Sequence, residues 1–178
     1  MKLLVGVTGG IAAYKAAELV STALKAGHDV RVMMTENGER FVGSATFEGL
    51  TGHPVLTHTF ADAMAHIEWA KWADCVVVAP LTANTMAKLA TGLADDALST
   101  VLMATPAGIP VVLAPAMNTE MWHHPVTVRN RGWLEAIDRY TFVAPISKRL
   151  ACGDVGNGGL AEVEDILTEI TRRTTARS

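Results

Sequence analysis

Residues 75–85 read Cys-Val-Val-Val-Ala-Pro-Leu-Thr-Ala-Asn-Thr, and this stretch decides the fold class. Its first five residues, 75–79, form an uninterrupted apolar run. A strand with one face in solvent would alternate apolar and polar residues, so a continuous run indicates a strand buried on both faces, which is typical of parallel sheets. Pro80-Leu81-Thr82 is predicted to end the strand, and residues 83–91 to form the next helix.

The same alternation of apolar strand and helix recurs along the chain. Strands are predicted at residues 3–7, 30–34, 75–79, 111–114 and 141–144, and helices at residues 11–26, 83–91, 95–104, 126–137 and 161–173, with short helical pieces at 39–50. Strands that alternate with helices imply a doubly wound α/β sheet with right-handed crossovers.

The composition excludes several classes of function. The chain has 178 residues, of which 49% are hydrophobic and 19% charged, so it can form one domain with a substantial core. A net charge of −3 without a basic block gives no support for nucleic-acid binding. No apolar window is long enough to span a membrane. Two cysteines without metal-type spacing predict neither a disulfide framework nor a metal site, and they fit a reducing cytoplasm.

Two polar turns follow predicted strands and fall at the sheet edge where α/β folds bind ligands. Residues 6–11, Gly-Val-Thr-Gly-Gly-Ile, let backbone N–H groups approach an anion at a helix N-terminus. Their spacing matches neither the dinucleotide motif nor the P-loop, so the turn indicates a single phosphate or a tight turn that binds nothing. Thr82, Asn84 and Thr85 supply short polar groups in the second turn, where Thr82 could equally be a simple N-cap.

Three further side chains suggest chemistry on a small molecule. Asn118 follows a predicted strand, where its amide could hold a substrate carboxylate or merely cap a helix. His66 could act as a general base, although most isolated histidines have no catalytic role. Cys152 lies in a glycine-rich stretch near Lys148 and Arg149, where a thiol can react. The alternative for Cys152 is a surface thiol without a role.

Five regions together resemble those of the flavin-dependent cysteine decarboxylases. They are Val-Thr-Gly-Gly-Ile-Ala-Ala-Tyr-Lys at 7–15, Ala-His-Ile at 65–67 with Trp-Ala-Asp at 72–74, Pro-Leu-Thr-Ala-Asn-Thr at 80–85, Pro-Ala-Met-Asn-Thr-Glu-Met-Trp at 115–122 and Leu-Ala-Cys-Gly-Asp-Val-Gly-Asn-Gly at 150–158. The Pro-x-Met-Asn-x-x-Met-Trp segment is highly specific, and the glycine turn is much less so. The resemblance extends over residues 2–167. It implies one flavoprotein domain over residues 1–178, a Rossmann-like three-layer sandwich with a parallel sheet, that binds FMN without a covalent bond.

The resemblance also implies roles for individual residues. The catalytic residues would be His66, Asn118 and Cys152. The flavin would be bound by Gly9, Gly10, Ile11, Thr35, Ala83, Asn84, Thr85, Ser99, Ala116 and Met117. The substrate would be bound by Asn118, Met121 and Ala151. No metal is implied.

The reaction implied by the resemblance is a decarboxylation without net oxidation. The cysteine moiety of 4′-phosphopantothenoylcysteine is oxidised at the FMN while His66 assists proton removal. Loss of CO2 then leaves an ene-thiol. The reduced flavin and Cys152 reduce this species to the aminoethanethiol of 4′-phosphopantetheine, a step of coenzyme A biosynthesis. Cys152 favours this branch, because peptidyl-cysteine decarboxylases stop at the ene-thiol and lack that cysteine segment.

The sequence departs from the family pattern in the flap expected to cover the substrate. Residues 156–160 read Gly-Asn-Gly-Gly-Leu where Gly-x-Gly-Arg-Met is usual, and Arg149 stands where glycine is commoner. Two alternatives therefore stay open. One is FMN-dependent oxidative decarboxylation of a peptide ending in cysteine, as in natural-product maturation. The other is a non-enzymatic regulatory flavoprotein.

The resemblance further implies a homo-oligomer. Relatives assemble as trimers, or as dodecamers built from trimers, with active sites between subunits. We expect exposed Met and Trp side chains near residues 117–122 at such an interface. Many bacterial relatives continue into a synthetase domain that this sequence lacks, so we expect a stand-alone cytoplasmic decarboxylase or the N-terminal part of a bifunctional protein.

Overall fold

The computed structural model describes residues 1–59, 64–149 and 155–176. Its main sheet has five strands in the order β2-β1-β3-β4-β5. The strands are β1 Lys2–Val7, β2 Asp29–Met34, β3 Cys75–Leu81, β4 Val111–Pro115 and β5 Tyr140–Phe142. Each neighbouring pair is parallel. The prediction of a parallel α/β sheet is therefore confirmed.

Helices cover both faces of this sheet. In the described residues they are α1 Tyr14–Lys25, which follows a 3-10 turn at Ile11–Ala13, α2 Glu36–Glu39, α3 Ser44–Thr51, α4 Ala65–Trp72, α5 Ala83–Thr91, α6 Ala97–Ala104, α7 Thr119–His123, α8 Pro125–Glu135 and α9 Val163–Thr175. Leu19, Phe47 and Ile166 bring α1, α3 and α9 into the core on one face. Met86, Leu98 and Leu134 bring α5, α6 and α8 into the core on the other. The predicted three-layer, Rossmann-like sandwich is confirmed.

The strand that decided the fold class is buried along its whole length, from Cys75 to Leu81. It is two residues longer than predicted, because the pairing of β3 with β4 shifts register between Val78 and Leu81 and so keeps Pro80 and Leu81 in the strand. The thiol of Cys75 is buried and donates a hydrogen bond to the carbonyl of Val76 at 3.7 Å. This burial agrees with the expected core position of Cys75.

Most predicted helices are found with shifts of one or two residues at their ends, and α5 matches its prediction at both ends. The helix expected from residue 95 begins at Ala97, because the Asp96 carboxylate accepts from the backbone N–H of Ser99 and caps it. Residues 35–38 were expected only to break a strand, but α2 forms there in a single turn. Helices α4 and α7 were not predicted, since each is short and without strong periodicity.

The C-terminal part of the fold corrects the sequence prediction. The core strand expected at residues 141–144 is the three-residue edge strand β5, which is only half-buried. The chain then forms an antiparallel hairpin outside the main sheet, from β6 Ile146–Arg149 and β7 Val155–Gly159. The glycine-rich sequence of β7 carries no β-propensity, so composition gave no signal for it. None of the helices among the described residues has the length and apolar character needed to cross a membrane.

Candidate active site

The site is expected at the carboxyl edge of the sheet, between β1 and β3, where the strand order changes direction. Gly9 and Gly10 directly follow β1, and Thr82 directly follows β3. A methyl group at Gly10 would lie 3.8 Å from Cγ2 of Thr82, so the two turns face each other across a narrow space. The structure therefore brings the predicted glycine turn and the predicted threonine turn together.

A buried threonine that the sequence analysis did not single out joins these two turns. The hydroxyl of Thr8 donates to the carbonyl of Pro80 at 2.6 Å and accepts from the backbone N–H of Thr82 at 3.1 Å. Thr8 is fully buried. The available signal was a polar side chain placed directly after a buried strand, because such a group must find partners inside the protein.

The turn after β2 is packed tightly against the turn after β1. The backbone N–H of Thr35 donates to the carbonyl of Val7 at 3.1 Å, and the Thr35 hydroxyl accepts from Gly38 N–H at 3.1 Å. A methyl group at Gly9 would lie 2.4 Å from Cβ of Asn37, and one at Gly38 would lie 2.7 Å from the carbonyl oxygen of Val7. Close packing thus places Asn37 beside Gly9 and Thr35 beside Val7, at the end of β1.

The end of helix α1 that faces this turn suits an anion. Gly10 caps the 3-10 turn that leads into α1, and neither this turn nor α1 has a side-chain cap. The first N–H groups of a helix point out of its N-terminus, and the helix dipole favours negative charge there. The residues present, Gly9, Gly10 and Ile11, therefore fit the phosphate of the expected flavin.

The turn after β3 resolves one of the alternatives that the sequence left open. The Thr82 hydroxyl accepts from the backbone N–H of Thr85 at 3.3 Å, so Thr82 is the N-cap of α5. Thr85 is buried and its hydroxyl accepts from that of Thr82. Asn84 is exposed beside Ala83 at the start of the helix.

Ser99 has a structural role in addition to the one that was predicted. Its hydroxyl lies 2.7 Å from the Asp96 carboxylate and accepts from Asp96 N–H at 3.2 Å, which completes a capping box at the start of α6. The neighbouring Leu98 packs against β1, where a methyl group at Gly6 would lie 2.9 Å from its Cδ1 atom. Ser99 thus lies next to the sheet, and contact with the flavin remains a prediction.

The loop after β4 carries Asn118 and continues the same edge. The backbone N–H of Ala116 donates to the carbonyl of Leu81 at 3.1 Å, which joins this loop to the end of β3. Asn118 caps α7, because its side-chain oxygen accepts from the backbone N–H of Glu120 at 2.8 Å. The oxygen of this amide is engaged in the cap, and the NH2 group of an amide is a donor of the kind that can bond a carboxylate.

Strand β7 lies directly on this loop. The backbone N–H of Met117 donates to the carbonyl of Gly158 at 2.9 Å. A methyl group at Gly156 would lie 2.5 Å from the hydroxyl oxygen of Thr119. The loop at residues 117–119 and strand β7, which are distant in sequence, therefore lie in contact. Cys152 and Ala151 lie outside the described residues.

His66 is the second residue of α4 and is half-buried. Its Nδ1 atom is buried and has no hydrogen-bond partner among the described residues. The rest of α4 packs on β2, where the guanidinium of Arg31 lies 4.4 Å from the ring centre of Trp72 and 5.6 Å from that of Trp69.

The predicted interface residues behave differently from one another. Met121 is 48% exposed, as expected of an interface side chain. Trp122 is only 8% exposed, so the prediction of an exposed tryptophan was wrong. Its ring packs in the core with Leu134, and the guanidinium of Arg131 lies 4.8 Å from the ring centre. An indole gains more from burial in its own chain than its place in a polar segment suggests.

The sheet order and the helix N-terminus at its switch point define a class of α/β protein that binds phosphate-bearing cofactors. Within this class the chain belongs to the flavoprotein family, whose sequence pattern matches residues 1–175. The resemblance on which the sequence analysis rested is thereby confirmed at the level of the family, and a flavin cofactor follows from it.

The chain matches long bifunctional relatives and a shorter relative of about its own length. A coenzyme A biosynthesis bifunctional protein CoaBC from Bacillus subtilis is 48% identical over 169 residues, which are 93% of this chain and 41% of that protein. A probable phosphopantothenoylcysteine decarboxylase from Streptococcus mutans is 40% identical over 173 residues, 95% of this chain and 96% of that protein. The chain thus spans less than half the length of the bifunctional relatives and nearly all of the shorter one.

Solved structures show the same fold. A cysteine-to-serine mutant of a PPC decarboxylase, in complex with pantothenoylaminoethenethiol, is 34% identical with a TM-score of 0.83 over 99% of this chain and 98% of that one. The FMN-binding protein AtHal3 is 33% identical with a TM-score of 0.84 over 99% and 98%. The peptidyl-cysteine decarboxylase EpiD shares the fold, with a TM-score of 0.82 over 96% of this chain and 98% of that one, at only 22% identity.

Proposed function

We propose that this chain decarboxylates 4′-phosphopantothenoylcysteine to 4′-phosphopantetheine in coenzyme A biosynthesis, with FMN as cofactor. The observation that carries the proposal is the contact of β7 with residues 117–119, which brings the glycine-rich segment onto the loop that holds Asn118. The relative named as a probable phosphopantothenoylcysteine decarboxylase, which the chain matches over nearly its whole length, supports the same substrate.

The residues present fit FMN. The helix end at Gly10 and Ile11 would hold its phosphate, with Thr35 beside it. Ala83, Asn84, Thr85, Ser99, Ala116 and Met117 remain the proposed lining of the flavin. When bound, FMN supplies the two-electron chemistry that oxidises the cysteine moiety and later returns the electrons.

The protein side of the reaction is binding and proton transfer. The NH2 group of Asn118 would hold the substrate carboxylate and so fix the bond that releases CO2. Nδ1 of His66 is buried without a hydrogen-bond partner among the residues that the structure describes, and the imidazole would accept the proton that leaves as the thiol is oxidised. Cys152 would supply the proton for the final reduction, with Met121 and Ala151 beside the substrate.

The test is a mass spectrum of the small molecule after incubation with the FMN-loaded protein. Loss of CO2 alone is the expected result and means complete catalysis. Cys152→Ser should release a product that lacks CO2 and two further hydrogens, the ene-thiol. His66→Asn should retain flavin and leave the substrate unchanged, whereas His58→Asn, at an exposed position, should behave as the wild type.

A second candidate is decarboxylation of a peptide with a C-terminal cysteine. The changed residues at 156–160 favour it, and the FMN-dependent cysteine decarboxylase SpaF is similar at 29% identity with a TM-score of 0.84 over 98% of this chain and 97% of that one. Turnover of such a peptide, with none of 4′-phosphopantothenoylcysteine, would replace the first proposal. Absence of turnover with both substrates would point to the regulatory flavoprotein.

We also propose a cytoplasmic homo-oligomer, a trimer or a dodecamer built from trimers. Exposed apolar side chains support an interface, among them Met121, Val126, Val128 and Trp133. Native mass spectrometry of the flavin-loaded protein would measure the subunit number directly, and a monomer at micromolar concentration would contradict the proposal.

A further inference from the structure

Two glycines of β7, Gly156 and Gly158, contact the loop on either side of Asn118. The pairing of β7 with β6 shifts register at Gly158, and a methyl group built on either glycine would meet this loop, while Asn157 between them is exposed. The contacts are with Met117 and Thr119. Asn118 is thus flanked on both sides by contacts with one strand.

The contact at Gly158 is between backbone atoms. The Gly158 carbonyl accepts from Met117 N–H at 2.9 Å. A methyl group at Gly158 would lie 2.1 Å from the carbonyl oxygen of Met117 and 3.4 Å from the carbonyl carbon of Asn118. A backbone carbonyl cannot rotate away as a long side chain can. Any side chain at position 158 therefore displaces the peptide that leads into Asn118.

The contact at Gly156 lies on the other side of Asn118. A methyl group there would lie 2.5 Å from the hydroxyl oxygen, 3.1 Å from Cγ2 and 3.3 Å from Cβ of Thr119. Thr119 is the first residue of α7, the helix that Asn118 caps. Its hydroxyl oxygen is buried and has no hydrogen-bond partner in the described part of the chain, so Gly156 and Thr119 fit together there by shape and not by a hydrogen bond.

We propose that Gly156 and Gly158 are positioning residues that set the direction of the Asn118 amide, by holding the backbone on both sides of it. The inference rests on the proposed function, in which this amide binds the substrate carboxylate. In this role the two glycines act through their lack of a side chain. The role is therefore independent of residues 159 and 160, where the family usually has arginine and methionine.

The first test compares Gly158→Ala with Asn157→Ala in the flavin-loaded protein. Gly158→Ala should retain FMN and its absorbance spectrum but raise KM for 4′-phosphopantothenoylcysteine at least about tenfold, because small misplacements of a binding group are costly. Asn157→Ala, in the same strand, should stay within about twofold of the wild type. An unchanged KM and kcat in Gly158→Ala would overturn the proposal.

The second test asks whether Thr119→Ala restores the KM of Gly156→Ala. It does not depend on Gly158→Ala, so it can be made even if that variant fails to fold. Gly156→Ala should raise KM, whereas Thr119→Ala alone should change it little. Thr119→Ala removes the atoms at 2.5 and 3.1 Å and leaves only Cβ at 3.3 Å. The double variant Gly156→Ala/Thr119→Ala should therefore return KM to within about twofold of the wild type. A double variant as impaired as Gly156→Ala would contradict the shape argument.

A third readout does not depend on turnover. The backbone N–H of Glu120 donates to Asn118 Oδ1, so its hydrogen exchange reports the position of this side chain. Exchange at Glu120 should be faster in Gly158→Ala than in the wild type and unchanged in Asn157→Ala. Wild-type protein that turns over neither substrate would refute the proposed function alone. Unchanged exchange in Gly158→Ala would refute the positioning role alone.

Discussion

The two halves of the site are held together in different ways. The half proposed to bind the cofactor, here called the cofactor half, joins the turns after β1, β2 and β3, and Thr8 links two of these turns through buried hydrogen bonds. The half proposed to bind the substrate, here called the substrate half, joins the loop after β4 to β7, which belongs to a hairpin outside the sheet, and the contact is made by backbone atoms and glycines. The cofactor half is held by the turns of the main sheet, whereas the substrate half is held by the β6–β7 hairpin outside that sheet.

Because of this difference, substitutions in β7 and substitutions in the turns after β1 to β3 should have different effects on ligand binding. Any doubly wound sheet brings the ends of β1 and β3 together, so the cofactor half follows from the fold class. The position of Asn118 depends in addition on how β7 lies on its loop. Substitutions in β7 should therefore alter substrate binding while flavin binding persists, and substitutions in the first turns should alter both.

The largest effect is expected from Gly9→Ala, which attacks the cofactor half. The new methyl group would lie 2.4 Å from Cβ of Asn37 and 2.8 Å from its backbone. We expect a loss of about 3 kcal/mol in unfolding free energy, the upper part of the range for overpacking. Urea unfolding of the apoprotein measures this loss of stability, and the flavin absorbance of the purified protein measures how much cofactor the variant retains.

The matched control is Gly10→Ala, whose methyl group would meet only Thr82 Cγ2 at 3.8 Å. Its unfolding free energy should stay within about 0.5 kcal/mol of the wild type. Equal destabilisation by the two substitutions would show that the turns after β1 and β2 are not packed as described.

A smaller effect is expected from Thr8→Val, which keeps the shape of the side chain and removes its hydroxyl. The carbonyl of Pro80 and the N–H of Thr82 would lose their partner, which costs about 2 kcal/mol for buried polar groups. Denaturant titration is the measurement. Thr171→Val, at an exposed hydroxyl that bonds only within α9, is the control and should change little. A Thr8→Val protein as stable as this control would remove Thr8 from the cofactor half.

A third substitution, Lys88→Met, tests whether an ion pair beside the cofactor half stabilises the protein in a pH-dependent way. Lys88 lies on α5 and bonds Asp95 at 2.6 Å and Asp96 at 2.8 Å, which ties α5 to the start of α6. Burial alone would raise the pKa of the Asp96 carboxyl, but hydrogen bonds from Lys88 and Ser99 outweigh it and lower the pKa. We expect a loss of about 1 kcal/mol at neutral pH.

The sign of the pH dependence follows from that lowered pKa. Asp96 stabilises the folded state above its ordinary pKa, and the contribution is lost as pH falls through the lower, folded-state pKa. The difference between wild type and Lys88→Met should therefore shrink on acidification, as measured by urea midpoints over a pH series. Lys15→Met, which breaks a pair with the half-exposed Glu162, should have the smaller effect at neutral pH. A difference that grows in acid would be contrary to this account.

The smallest effect is expected from Thr119→Val in the substrate half. Within residues 1–59, 64–149 and 155–176 the Thr119 hydroxyl has no hydrogen-bond partner, and it lies against Gly156, so its removal breaks none of the described bonds and keeps the shape. Unfolding free energy should change by no more than about 0.5 kcal/mol, or rise slightly. Substrate KM should also be unchanged. A loss as large as that of Thr8→Val would mean that this half, too, is held by hydroxyl bonding.

Much of the fold could be predicted from the sequence because its signals are local. The run at residues 75–79 indicated a buried parallel strand, and Thr82 and Asp96 mark helix starts that a cap preference indicates. Asn118 was weighed as a helix cap and is one. The chemical roles entered through the resemblance and not through spacing.

The hairpin could not be predicted in this way. Strand β7 reads Val-Gly-Asn-Gly-Gly, a sequence typical of a loop, and it forms a strand by pairing with β6, while Gly158 also accepts a hydrogen bond from the loop residue Met117. That contact joins residues far apart in the chain, and no local pattern encodes it. The burial of Trp122 was missed for the same reason, since the residues that cover it come from α8 and elsewhere.

The buried thiol of Cys75 has a practical consequence. The chain has two cysteines, and Cys75 is fully shielded from solvent inside β3. Any alkylation of the native protein should therefore report on Cys152 alone, and its rate constant can be read without removing the other thiol. Repeating the alkylation with flavin alone and then with substrate would turn the natural sequence into a single-site reporter of occupancy, and denaturation would release Cys75 as an internal standard for counting thiols.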